Sequence, residues 1–181
     1  MPAVARLLTS RAYWLALALF SGSMLAVALY YQYALGEEPC QACIQVRLWV
    51  VGLLVLGLLM ACLPAKASVF AAANLLAAVF AVGLAERSWF LYQLENGKGD
   101  GSCEFQLGMP DWFAVDRWFP SLFEVRNLCS FTPDMLFGLS MAEGLLLAAA
   151  GLIVGIVCSM VATFSPQAFP PAGVSDQPKD A

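Results

Sequence analysis

The chain predicts an all-α membrane protein: a four-helix transmembrane bundle with a long loop that carries a short membrane-surface helix. Three observations carry that expectation. Of 181 residues, 61% are hydrophobic and only 12% charged, where soluble domains carry about 25% charge. The apolar residues gather into four long runs with few charges. Four crossings then leave both termini on one side and gather four of the six cysteines on the other.

The first span, about residues 12–35, lies in a charge-free stretch from Ala12 to Gly36, with Arg6 and Arg11 before it and Glu37 and Glu38 after it. It is too long and too uninterrupted for the apolar region of a secretion signal. The second, about 44–63, is rich in Leu, Val and Gly and stops at Pro64. The third, about 68–92, runs through Glu86 and Arg87 into the aromatic cluster Trp89, Phe90 and Tyr92. The fourth, about 141–163, is entered through Met141 and Glu143. Within lipid each span has to satisfy its own backbone hydrogen bonds, so each is a helix. The loop Gly36–Ala42 and the long loop of about 93–140 share the side opposite the termini. Arg6 and Arg11 ahead of the first helix favour termini inside, although Lys98, Arg117 and Arg126 in the long loop weigh the other way. Residues 1–164 form the membrane domain, and 165–181, with four prolines, read as a disordered tail. Within the long loop, Pro110 to Pro120 interleaves Trp112, Phe113, Trp118 and Phe119 with Asp111, Asp116 and Arg117. That pattern suits a short amphipathic helix at headgroup level; the alternative is a packed loop core.

A net charge of −4 with no basic run argues against a nucleic-acid partner. The absence of histidine excludes Cys₂His₂ zinc sites, histidine-ligated haem and Ser-His-Asp catalysis. Chemistry here has to use thiols, carboxylates or a borrowed cofactor.

Cys40 and Cys43 form a C-x-x-C at the start of the second helix, and Cys103 and Cys129 lie in the long loop. Cys62 and Cys158 fall near the opposite ends of their spans and read as packing thiols. Three readings of the first four stay open. As structural disulfides, a Cys103–Cys129 link would constrain the unfolded chain by roughly 3.5 kcal/mol, whereas a C-x-x-C ring closes almost no loop. A Cys₄ metal site is poorly served by 25 residues between Cys103 and Cys129, and no metal is expected. A redox relay pairs an exchange-ready dithiol with a looser loop disulfide, and it is favoured. Pro39 and the following helix put the first pair at a helix N-terminus, which favours thiolate. Arg47, four residues after Cys43, lies one turn deeper on the same face, able to stabilise a thiolate or a developing oxyanion; otherwise it is an interfacial anchor. No nucleotide, haem or iron–sulfur motif supplies an electron sink. By elimination a lipid-soluble quinone fits the bilayer edge beside Arg47, Tyr30, Tyr31 and Tyr33.

These residues resemble the DsbB family, quinone-linked membrane oxidases of the bacterial disulfide-forming pathway. The resemblance runs to about Thr163. It rests on Gln32 upstream of Pro39-Cys40-Gln41-Ala42-Cys43 and Arg47, on Cys103-Glu-Phe, Met109-Pro-Asp-Trp and Val115-Asp-Arg-Trp-Phe-Pro120, and on Cys129 and Phe137-Gly-Leu. It implies a multi-pass protein of the bacterial inner membrane with cytoplasmic termini and periplasmic cysteine loops. It also implies that Cys40, Cys43, Cys103 and Cys129 are catalytic and that Arg47 binds ubiquinone or menaquinone. A periplasmic DsbA-type thioredoxin-fold oxidase, once reduced, would attack a Cys103–Cys129 disulfide through Cys103. Cys129 would then exchange with Cys40, leaving Cys43 as thiolate against the quinone, a charge-transfer state that Arg47 would stabilise.

Some members of the family carry a histidine after the third helix, and this chain has none. Glu86, Arg87 and Glu143 are candidates for its proton or hydrogen-bond role, against a plain structural pairing. Phe131-Thr-Pro-Asp134 departs from a well-studied branch of the family and leaves open a dedicated paralogue serving a specialised oxidase. Two further alternatives are a structural or transport bundle with static disulfides, and a vitamin-K-epoxide-reductase-like enzyme. The position of Cys40 and Cys43 before the second helix disfavours the latter.

Overall fold

The computed structural model describes residues 7–64, 66–98, 107–127 and 140–164. Its long helices are α1 (Arg11–Ala34), α2 (Gln41–Cys62) and α3 (Ala67–Glu95), followed after the long loop by a fourth, Met141–Thr163. The shortest has 22 residues, about 33 Å of helix against about 30 Å of hydrocarbon. Among the described residues no strand forms, and the molecule is a four-helix membrane bundle.

The loop segment between α3 and the last helix folds as three successive single turns. These are a 3₁₀ turn (Asp111–Phe113), α4 (Val115–Trp118) and α5 (Pro120–Phe123). Two local breaks separate the turns, and at the first Ala114 leaves the helical region, at φ −83° and ψ 68°. Phe119 precedes Pro120 and is driven out of the helical region, to φ −135° and ψ 68°. Trp112, Trp118 and Phe119 are all exposed, while Val115 and Phe123 turn inward against Ile44 and Leu107. The last long helix is therefore α6 (Met141–Thr163).

Helix ends follow from local chemistry. Gly36 takes φ +74° just beyond α1, and Gly97 takes φ +66° beyond α3, a conformation open to glycine at little cost. α6 opens with a capping box in which Ser140 Oγ accepts from the Glu143 N–H at 3.2 Å and Glu143 Oε2 accepts from the Ser140 N–H at 3.1 Å. The Ser140 hydroxyl also donates to Glu95 Oε2 at 2.6 Å, tying the end of α3 to the start of α6.

Packing runs α1 on α2, α2 on α3 and α3 on α6, leaving the α1–α6 side comparatively open. Trp14, Leu53, Phe70, Leu84 and Ile156 form the centre of the core. Outward-facing Leu19, Leu75, Leu147 and Val161 are 75, 61, 65 and 68% exposed; an apolar exterior of this kind matches acyl chains and not water. Two glycines permit the close approaches. A Cβ on Gly57 would lie 2.9 Å from the Trp14 carbonyl oxygen of α1, and one on Gly83 would lie 2.6 Å from the Trp49 ring of α2. Close contact through small residues is how membrane helices pack. Gly57→Leu is expected to separate α1 from α2 and cost about 1–3 kcal/mol, read as a lower thermal midpoint in detergent. An unchanged midpoint would mean that this crossing carries little of the stability.

Candidate redox site

Cys40 is the N-cap residue of α2. Its extended backbone (φ −85°, ψ 170°) turns Sγ back over the helix start, where it accepts from the Cys43 N–H at 3.3 Å. One turn on, Cys43 presents its own sulfur 2.7 Å from that of Cys40. Hydrogen bonding to the Cys43 sulfur, and then burial, push the Cys40 thiol well above the ordinary cysteine range.

The two cysteines have different surroundings. Cys40, only 2% exposed, is packed among Ala42, Leu91 and Ala142. Cys43 lines a cavity of about 280 Å³ between α1, α2 and α6. That cavity is walled by apolar groups such as Phe20, Met24, Val50 and Leu145, and Arg47 is its charged lining residue. Gly144 and Ala148, one turn apart on α6, keep that wall low.

Arg47 is buried, at 5% exposure. Its Nη1 donates to Gln32 Oε1 at 2.5 Å and to the Leu122 carbonyl at 3.1 Å, and its Nη2 to the Ala28 carbonyl at 3.3 Å. All three acceptors are neutral, and among the described residues Arg47 makes no ion pair with a carboxylate. A buried cation held this way keeps its charge available to whatever enters the cavity.

The loop closes over this end of the bundle. Gln45 Nε2 donates to the Leu107 carbonyl at 3.1 Å, and Tyr33 Oη donates to the Ser121 carbonyl at 2.5 Å. The backbone N–H groups of Arg126 and Asn127 both donate to the Pro39 carbonyl, at 3.0 and 3.3 Å. Asn127 consequently runs parallel beside Cys40.

The sequence model of the family described as disulfide bond formation protein DsbB matches residues 10–159 of the chain. The chain belongs to the DsbB family. "Disulfide bond formation protein B 2" of Pseudomonas aeruginosa is 36% identical over 146 residues, covering 78% of this chain and 85% of that protein. "Disulfide bond formation protein B" of Shewanella sp. strain MR-4 is 32% identical over 166 residues, covering 91% and 95%. The protein of the same name from Actinobacillus pleuropneumoniae is 34% identical over 157 residues, covering 86% and 88%. Membership makes this chain a membrane disulfide bond formation protein with a disulfide oxidoreductase role.

Of the residues singled out in the sequence, the structure brings Cys40, Cys43 and Arg47 together at the N-terminal end of α2. Cys103, Cys129, the Phe131–Asp134 departure, the Phe137-Gly-Leu motif and the tail 165–181 lie outside the described residues. Arg87 pairs with the adjacent Glu86 at 2.8 Å and not with Glu143, whose carboxylate is engaged in the α6 cap. Tyr30, Tyr31 and Tyr33 do not line the cavity; its aromatic residue is Phe20, and Tyr33 holds the loop instead. Sequence reasoning did not foresee the α6 wall, although the small residues Gly144 and Ala148, four apart, were its available signal. Nor did it foresee that Gln32 touches Arg47.

Proposed function

We propose that this protein is a quinone-dependent thiol oxidase of the bacterial inner membrane that reoxidises a periplasmic DsbA-type thioredoxin-fold dithiol. In this reading the termini are cytoplasmic and the Cys40 end of the bundle faces the periplasm. The observation that carries it is the shared cavity: Cys43 and Arg47 line one apolar chamber on the less closely packed α1–α6 side. Residues fit the ligand chemistry, with apolar walls for a ring and tail, a guanidinium donor for a carbonyl oxygen, and a sulfur beside it.

The relay balances as follows. The partner's thiolate attacks Cys103 in a Cys103–Cys129 disulfide, forming a mixed disulfide and releasing Cys129 as thiolate. Cys129 attacks Cys40 of an oxidised Cys40–Cys43 pair, and the departing electron pair rests on Cys43 beside Arg47. The partner's second thiol resolves its bond to Cys103, leaving the partner oxidised. Cys103 then reclaims Cys129, restoring the loop disulfide and freeing Cys40. The Cys40–Cys43 dithiol now holds the two electrons and two protons that entered with the partner. Cys43 and Arg47 would hold a ubiquinone or menaquinone, which would supply the two-electron, two-proton acceptor for that pair. Proximity supports the second exchange, because the Pro39–Asn127 contacts hold the chain two residues ahead of Cys129 alongside Cys40.

The test is quinone reduction by the detergent-purified protein supplied with reduced partner. Wild type is expected to form one quinol per partner dithiol. Arg47→Ala is expected to raise the apparent KM for quinone about thirtyfold, or about 2 kcal/mol, with less effect on partner exchange. No turnover by folded wild type across several quinones and partners would overturn the reading, and an unchanged KM would remove Arg47 from the site.

A further inference from the structure

Gln32 stands at the junction of three parts of the molecule. Its Oε1 accepts from Arg47 Nη1, its Nε2 donates to the Ser121 carbonyl at 3.4 Å, and it sits on the last turn of α1. The same Arg47 nitrogen also reaches the carbonyl of Leu122, the residue after Ser121. One side-chain amide thus links the buried guanidinium to the backbone of α5, seven to eight residues before Cys129 in the loop.

We infer that Gln32 is a positioning residue for Arg47, fixing the guanidinium against the Cys43 cavity and fastening it to α5 while leaving its charge uncancelled. The chemistry of the amide is what matters. A carboxylate at this position would hold Arg47 at least as firmly, but would spend the positive charge in an ion pair. An amide supplies an acceptor for Arg47 and a donor for the loop, and adds no charge. The Arg47 field then acts on Cys43 and on an electron-rich ligand entering between α1 and α6. This inference rests on the quinone-linked reading for its purpose but not for its measurement.

The discriminating property is the order of variants. If Gln32 is only a tether, Gln32→Glu keeps its bond to Arg47 and loses the one to Ser121, whereas Gln32→Leu loses both, so Leu is the worse change. If Gln32 positions an uncancelled charge, Glu is the worse change. The experiment uses full-length protein in detergent, reduced and stripped of quinone, in a Cys40→Ser background. It reads the rate of Cys43 alkylation by iodoacetamide at neutral pH with peptide-resolved mass spectrometry. Alkylation follows thiolate character, which a nearby free cation sustains. Gln32→Glu is expected to slow it about tenfold, and Gln32→Leu about twofold. In proteins with Cys40 intact, the apparent KM for quinone should rise in the same order.

Alkylation of the Glu variant as fast as that of the Leu variant, or faster, overturns the proposal. Gln32→Asn, which withdraws the amide by one methylene and adds no charge, guards against a Glu variant that fails to fold. It is expected to slow alkylation about twofold, and a wild-type rate would overturn the proposal. Wild type that reduces no quinone defeats the functional reading, whereas the alkylation order, measured without quinone, decides the role of Gln32 separately.

Discussion

Cys40→Ser is expected to abolish quinone-linked turnover, by about 10³-fold or more, in a protein that still folds. Cys40 Sγ contributes two separable things. It is the sulfur that exchanges in the proposed relay, and it is the N-cap acceptor for the Cys43 N–H. A serine oxygen keeps the second function, since serine ranks among the strongest N-cap residues. The site at Cys40 is 2% exposed and serine is slightly smaller, so packing against Leu91 and Ala142 loosens little. The thermal midpoint of the variant should therefore stay close to wild type while turnover disappears. The opposite pattern, retained turnover with a lowered midpoint, would assign Cys40 to structure and remove the relay. A static disulfide predicts that pattern poorly even on its own terms, because a C-x-x-C ring closes almost no loop.

The parts of the fold legible in the sequence are those that lipid dictates. A span of apolar residues in hydrocarbon has no choice but to be helical, so α1, α2, α3 and α6 follow from hydropathy and the punctuation of Pro64 and Gly36. The N-terminal position of the C-x-x-C was legible as well, since Pro39 marks a chain entering a helix. The contacts that build the cavity were not. Arg47 reaches a glutamine 15 residues away and a backbone carbonyl 75 residues away, and neutral acceptors leave no charge pattern to read. An expected carboxylate partner can be searched for by sign, whereas a peptide oxygen belongs to every residue. The tyrosines at the end of α1 misled for a related reason. Their composition suits a ring-binding site, but Tyr33 spends its hydroxyl on the Ser121 carbonyl. The loop turns show the same limit at short range: amphipathic spacing over Pro110 to Pro120 suggests one short helix, but Ala114 interrupts it and Phe119, ahead of Pro120, ends it.

The second large effect belongs to the loop. Cys103→Ser is expected to abolish oxidation of the partner, again by about 10³-fold or more, while leaving the Cys40–Cys43 pair oxidisable by quinone. The physical ground is the separation of the two exchanges. Among the described residues, Cys43 and Arg47 line a cavity built by α1, α2 and α6, and in the proposed relay their encounter with a lipid-soluble acceptor does not pass through Cys103. Partner exchange, by contrast, needs a loop sulfur that a thioredoxin-fold thiolate can attack, since Cys40 is buried and covered by the Pro39–Asn127 contacts. Protein reduced with dithiothreitol, freed of it and given quinone should lose the two thiols of Cys40 and Cys43 in the variant as in wild type, counted by peptide-resolved alkylation. If that pair stays reduced with quinone present, electrons do not leave through Cys43, and the order of the relay has to be reversed or abandoned. If the pair oxidises but the partner is still turned over, an attacking thiol has reached Cys40 directly. The loop contacts at Pro39 would then have to open far enough to expose a residue that the closed structure buries.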